Sequence, residues 1–148
     1  MPTLEEALKI KIPQKTFTFQ GYSFTLKLLN SRETEECWEA VRFLDDTSKT
    51  YAFPKQVLAR AIIEINGQKI SCNVNKEEEE KITVSEMKSR IINENIRVLD
   101  ASSAVVIAHI YEKYNEVKKE ADSILEEVKK KEKTVKADIS GKSPSLLE

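Results

Sequence analysis

Thr16-Phe17-Thr18-Phe19-Gln20-Gly21-Tyr22-Ser23-Phe24-Thr25-Leu26-Lys27 is the stretch on which the fold turns. Phe17 and Phe19 alternate with threonines, and Tyr22, Phe24 and Leu26 alternate with Ser23 and Thr25. Alternation of period two sends successive side chains to opposite faces of a strand, so this is a β-hairpin with one buried face. Gly21 supplies the positive φ that the tight turn between the two strands needs.

Working outward, a helix is expected to follow, capped by Asn30 or Ser31, with Glu33, Glu35 and Glu36 near its positive end. Cys37, Val41 and Leu44 fall on one face, with Trp38 beside them. Asp45 to Thr50 breaks the pattern and reads as a loop, after which Pro54 suits the first turn of a second helix. Val57, Leu58, Ala61, Ile62 and Ile65 keep helical spacing, and Asn66-Gly67 then ends the helix in a left-handed cap. A second hairpin centred on Asn66-Gly67 competes with this reading, because Ile63-Glu64-Ile65 and Lys69-Ile70-Ser71 also alternate. The helix followed by a short extended segment is the preferred expectation.

Asn73 to Lys81 is polar and holds the acidic run Glu77 to Glu80, which reads as a solvated linker. Thr83-Val84-Ser85-Glu86 is a capping-box pattern and marks a firm helix start, with Val84, Met87, Ile91, Ile92, Ile96 and Leu99 on the apolar face. Asp100-Ala101-Ser102-Ser103 offers a break and a new cap. Beyond it, Val106, Ile110, Tyr114, Val117, Ala121, Ile124 and Val128 recur at three- and four-residue steps. They predict a helix of roughly 28 residues, ~42 Å long, with Lys129-Lys130-Lys131 complementing its negative end.

The fold class expected is therefore α+β and mainly helical: an N-terminal β-hairpin, a small helical domain and a long C-terminal amphipathic helix. Its organisation is a flexible arm over 1–14, a hairpin plus two-helix head over 15–72, and an acidic linker over 73–82. A helical region over 83–133 and a flexible tail over 134–148 complete it. A chain of 148 residues fits one domain with extensions.

Composition narrows the function classes. Twenty-four basic side chains against 25 acidic ones leave a net charge of −1, which argues against nucleic-acid or membrane-surface binding driven by bulk charge. No apolar run approaches the ~18 residues that span a bilayer, and Met1 to Glu6 lacks the basic and apolar regions of a signal peptide. Cys37 and Cys72 have no metal or redox spacing and read as reduced thiols of a cytoplasmic protein.

No constellation for catalysis stands out. His109, the single histidine, has Val105 and Lys113 a turn away and no ligand partner at helical spacing. Three glycines are too few for a phosphate-cradling loop, and Gly141-Lys142-Ser143 lacks the upstream glycine of a P-loop. Asp45-Asp46 lacks further acidic partners at metal-ligating spacing and reads as part of the loop. The expectation is thus a non-enzyme with no cofactor and no catalytic or metal residues. What remains is surface: the distal long helix, with Val117, Ala121, Ile124 and Val128, carries heptad-like steps that suit a partner helix or self-association. The competing reading folds this helix back over the protein's own hairpin and helices.

Two pieces of the sequence carry a resemblance. The Phe-x-Gly hairpin, Phe17 to Leu29, leads through the Trp38 helix to Ala61-Ile62-Ile63-Glu64-Ile65-Asn66-Gly67. Over residues 15–70 this resembles small tail-assembly proteins of tailed bacteriophages, including tail assembly chaperones and baseplate-hub assembly proteins. The resemblance implies a helical domain opened by the hairpin, and a role in virion morphogenesis. It implies a protein partner such as a tape-measure or baseplate-hub component, bound in the host cytoplasm or retained in the virion. The alternative is a homo-oligomeric coiled-coil adaptor with no viral role.

Overall fold

The computed structural model describes residues 1–10, 14–71, 77 and 80–141, with side chains described as far as residue 134. The chain divides into two compact units, one spanning Gln14–Val117 and the other drawn from the two ends of the chain. No helix among the described residues is long and apolar enough to cross a membrane.

The larger unit is built on the expected hairpin. Strands β1 (Lys15–Phe19) and β2 (Tyr22–Leu26) pair antiparallel, Phe17 opposite Phe24 and Phe19 opposite Tyr22. The Phe17 and Phe24 rings stack at 5.5 Å, the kind of aromatic cross-strand pair that stabilises a register. Gln20 and Gly21 both take positive φ, 51° and 82°, as the two-residue turn matched to strand twist requires.

Two helices then cross over before the chain returns to the sheet. Helix α2 (Ser31–Val41) is capped by Asn30, whose side chain accepts from the Glu33 N–H at 2.8 Å while the Glu33 carboxylate accepts from the Asn30 N–H at 3.2 Å. This reciprocal box answers two orphan donors of the first turn. Helix α3 (Asp46–Ala61) begins where a loop was expected. Asp45 is its N-cap, accepting from the Ser48 N–H at 2.7 Å, so the acidic pair that read as a solvated loop starts a helix instead. That hydrogen bond holds the Asp45 carboxyl below its ordinary range. Pro54 consequently lies inside the helix rather than in its first turn. A proline there removes one donor, and packing of Val57, Leu58 and Ala61, all 3 % exposed or less, holds the helix through it.

The preferred reading of Ile62–Gly67 as a helix end is corrected. Strands β3 (Ile62–Ile65) and β4 (Gln68–Lys69) extend the sheet, and the order is β1-β2-β3-β4, all antiparallel. Asn66 and Gly67 form a positive-φ turn, 54° and 76°, with the same conformation as Gln20-Gly21. The physical reason is the open edge of β2. Phe24 pairs with Ile65 and Thr25 with Glu64, a bulge follows, and the Lys27 N–H donates to the Ala61 carbonyl at 3.0 Å. A helix continuing to Ile65 would leave that edge unpaired in a partly buried sheet. Asn66 itself ties the turn to β2, its N–H donating to the Ser23 carbonyl at 2.7 Å and its Oδ1 accepting from the Ser23 N–H at 2.8 Å.

Helix α4 (Val84–Asp100) starts at Thr83, whose hydroxyl accepts from the Glu86 N–H at 3.1 Å. It packs on α3 and is fastened by Asn95, which donates to the Ala59 carbonyl at 3.0 Å. The break at Asp100–Ser103 is real, and α5 (Ala104–Gly141) begins beyond it. At 38 residues α5 is longer than the roughly 28 expected, because the helix runs through Lys129–Lys131 into the region read as a flexible tail. The core of this unit collects Phe17 and Leu26 from the sheet, Cys37, Leu58 and Ala61 from α2 and α3, Leu99 from α4, and Ile107, Ile110, Tyr114 and Val117 from α5. The Tyr114 hydroxyl accepts from the Leu29 N–H at 3.4 Å, so its buried oxygen is answered.

In the second unit, α1 (Leu4–Leu8) forms within the segment expected to be a flexible arm. Thr3 and Glu6 make a capping box, and both Leu4 and Leu8 are exposed. The greater part of the expected acidic linker lies outside the described residues, as does Cys72.

Candidate protein-binding surfaces

Three surfaces and one polar cluster are candidates for function. The first is the apolar stripe of α5. Val117, assigned from the sequence to an exposed stripe, is 0 % exposed and belongs to the core. The assignment fails because the stepping continues one turn further into the core than the sequence reading drew it. Ala121 and Ile124 are half-buried, while Leu125 and Val128 are each 39 % exposed. Leu125, one residue from Ile124, was not singled out from the sequence, although the i, i+4 pair Ala121–Leu125 was legible there.

The second surface is a groove between β3–β4 and the N-terminal half of α4, with a volume of about 690 Å³. Ile63, Ile70, Val84, Met87 and Ile91 are among its walls, and Lys27, Arg60, Lys69, Lys88 and Glu64 contribute its charges. Reading Ile62–Ile65 as helix concealed this site, since Ile63 and Ile70 meet only when the two strands pair. The alternation on either side of Asn66-Gly67 was the signal that locates it.

The third surface surrounds the turn from α2 to α3. Trp38 stacks on Phe53 at 4.1 Å yet stays half-exposed, and Phe43, Leu44 and Tyr51 are exposed as well. The Arg42 guanidinium covers one face of the Phe43 ring at 4.5 Å, which shields part of it from water.

The polar cluster is structural in its geometry. Glu33 is 3 % exposed, and its carboxylate accepts from the Lys27 ammonium at 2.8 Å. Burial would push its carboxyl upward, but Lys27 and the Asn30 N–H outweigh that and hold it below its ordinary value. The Arg60 guanidinium donates to the Gln56 carbonyl at 2.9 Å, to Glu36 at 3.3 Å and toward the Cys37 sulfur at 3.6 Å. Burial raises the Cys37 thiol against the pull of Arg60, which favours the neutral thiol over the nucleophilic thiolate.

His109 is exposed, and its ring lies 5.5 Å from that of Phe19. Among the described residues no group of three or more His, Cys, Asp or Glu side chains is placed to hold a metal ion. The Gly141-Lys142-Ser143 stretch falls largely outside the described residues. Comparison with protein-family models, with curated proteins and with solved structures finds no match.

Proposed function

We propose that this chain is a non-enzymatic assembly protein of a phage tail or baseplate, which binds another tail component in the host cytoplasm through the exposed stripe of α5. The observation that carries the reading is the stripe itself. A 38-residue helix presents Ala121, Ile124, Leu125 and Val128 in succession, the last two well exposed to water. Apolar side chains repeated along one helix face gain about 25 cal/mol per Å² when a partner buries them, less the cost of ordering both chains. The Phe-x-Gly hairpin and the Asn66-Gly67 segment, which resemble those of tail-assembly proteins, supply the phage context.

Co-purification with the tape-measure and baseplate-hub proteins encoded in the same genome tests this reading. The wild-type chain retains one of them, and Ile124→Asp loses it by about ten-fold or more. Retention of neither protein, or retention unchanged by Ile124→Asp, overturns it. The heptad-like steps of the same stripe favour a second reading, a homo-oligomeric adaptor. Light scattering separates the two, since an oligomer dissolved by Ile124→Asp, with no tail protein bound, supports the adaptor.

A further inference from the structure

The groove between β3–β4 and α4 plays no part in that reading. We propose that it is a separate docking site, for an amphipathic helix of a partner protein whose apolar stripe is flanked by carboxylates. The inference rests on the chain being a protein-binding assembly factor, but it concerns a surface wholly within Gln14–Val117.

Shape comes first. At about 690 Å³ the groove has the size of a binding cleft, since such clefts typically measure about 300–1,000 Å³. Ile63, Ile70, Met87 and Ile91 are all partly exposed along its walls, and Val84 is 88 % exposed, so one side opens to solvent along the helix. An apolar wall open to solvent along a helix suits a segment of polypeptide lying on it better than an enclosed small molecule.

Charge then selects the kind of segment. Among the described residues, four cations line the groove, and Glu64 is the one carboxylate beside them. Lys27 is engaged by Glu33 at 2.8 Å and Arg60 by Glu36 at 3.3 Å. Lys69 is exposed, and Lys88 is 58 % exposed and stands 4.0 Å from a Glu33 carboxylate that Lys27 already holds closely. These two ammonium groups face solvent at the groove, where they favour an incoming anion and repel a basic stripe.

Backbone geometry decides between a strand and a helix as the occupant. β4 is the edge strand on this side of the sheet and is only two residues long, Gln68–Lys69. That is too short a ladder for strand addition, which draws its affinity from a row of main-chain hydrogen bonds. A helix needs no such ladder, because it satisfies its own backbone and offers side chains alone.

Fluorescence anisotropy with the full chain tests the proposal, using two synthetic labelled helices with one leucine and isoleucine stripe, flanked in one by glutamates and in the other by lysines. The glutamate-flanked helix is expected to bind at least about ten-fold tighter. Lys69→Glu combined with Lys88→Glu reverses that preference, and Met87→Asp removes binding of both helices. Circular dichroism of each variant confirms that the fold is kept. Ile124→Asp leaves the anisotropy unchanged, so failure of the α5 stripe in co-purification and failure of the groove are read separately. Equal binding of the two helices, or binding that survives the double charge reversal, overturns the proposal. So does sedimentation showing a dimer that the double charge reversal dissolves, which assigns the groove to a second copy. Oleate uptake lost in the same variant, with neither helix bound, assigns it to a lipid and overturns it too.

Discussion

The two halves of α5 carry the same three- and four-residue spacing of apolar side chains and meet opposite fates. In the proximal half Ile107, Ile110, Tyr114 and Val117 are each 6 % exposed or less. In the distal half Leu125 and Val128 reach 39 %. Periodicity establishes that a helix has an apolar side. Whether that side is core or contact surface depends on what stands opposite it, and for the proximal half the opposing groups come from β1, β2, α2, α3 and α4.

Four measurements break or sharpen this contrast. The largest effect is expected from Val117→Asp, which puts a carboxylate at a site with 0 % exposure. A loss of more than about 4 kcal/mol is expected, enough to unfold the larger unit. Urea titration followed by Trp38, the sole tryptophan, reports it directly. A variant as stable as wild type would break the assignment of Val117 to the core.

Glu33→Gln comes next, with an expected loss of about 1–2 kcal/mol at neutral pH. Its sign with pH follows from the depressed carboxyl. A carboxyl below its ordinary 4.5 when folded contributes stability that is full above that value and is lost as pH falls through the folded one. The gap between variant and wild type therefore narrows in acid, and a gap that widened would contradict the buried Lys27–Glu33 pair.

Gly67→Ala is expected to cost about 1 kcal/mol. Nothing lies within 4 Å of the added carbon, so the loss comes from the φ of +76° alone. Thermal denaturation measures it, and an unchanged midpoint would argue against the β3–β4 turn.

The smallest effect belongs to Val128→Ala, expected to stay within about 0.5 kcal/mol because the site is exposed and alanine favours helix. Set beside Val117→Asp, it tests within a single helix whether burial or spacing sets the energetic weight of a position. A loss on the scale of a core substitution would place Val128 against a partner surface already present in the isolated protein.

Legibility in the sequence follows the range of the forces involved. The first hairpin was legible because turn and alternation are both local. So was the helix start at Thr83, whereas the sequence left the cap open between Asn30 and Ser31 and offered a break at Asp100–Ser103 without deciding it. Asp45 was misread because an acidic pair with threonine and serine suits a loop and an N-cap equally, and only the Ser48 N–H that it accepts decides. Of the candidate stripe, expected to be exposed, Val128 is exposed, Ala121 and Ile124 are half-buried, and Val117 is buried.

The sequence by itself determined the first hairpin turn and the helix start at Thr83, because those signals act within four or five residues of the chain. Ile62–Ile65 shows what lay beyond its reach. Those residues satisfy a helical and a strand pattern together, and the choice fell to the open edge of β2, whose backbone groups needed partners from residues some forty positions away. Once β3 is a strand, its hairpin with β4 brings Ile63 beside Ile70, and the residues of α4 that face them complete the groove. The fate of each apolar residue along α5 was decided in the same way, by which other elements came to lie against it.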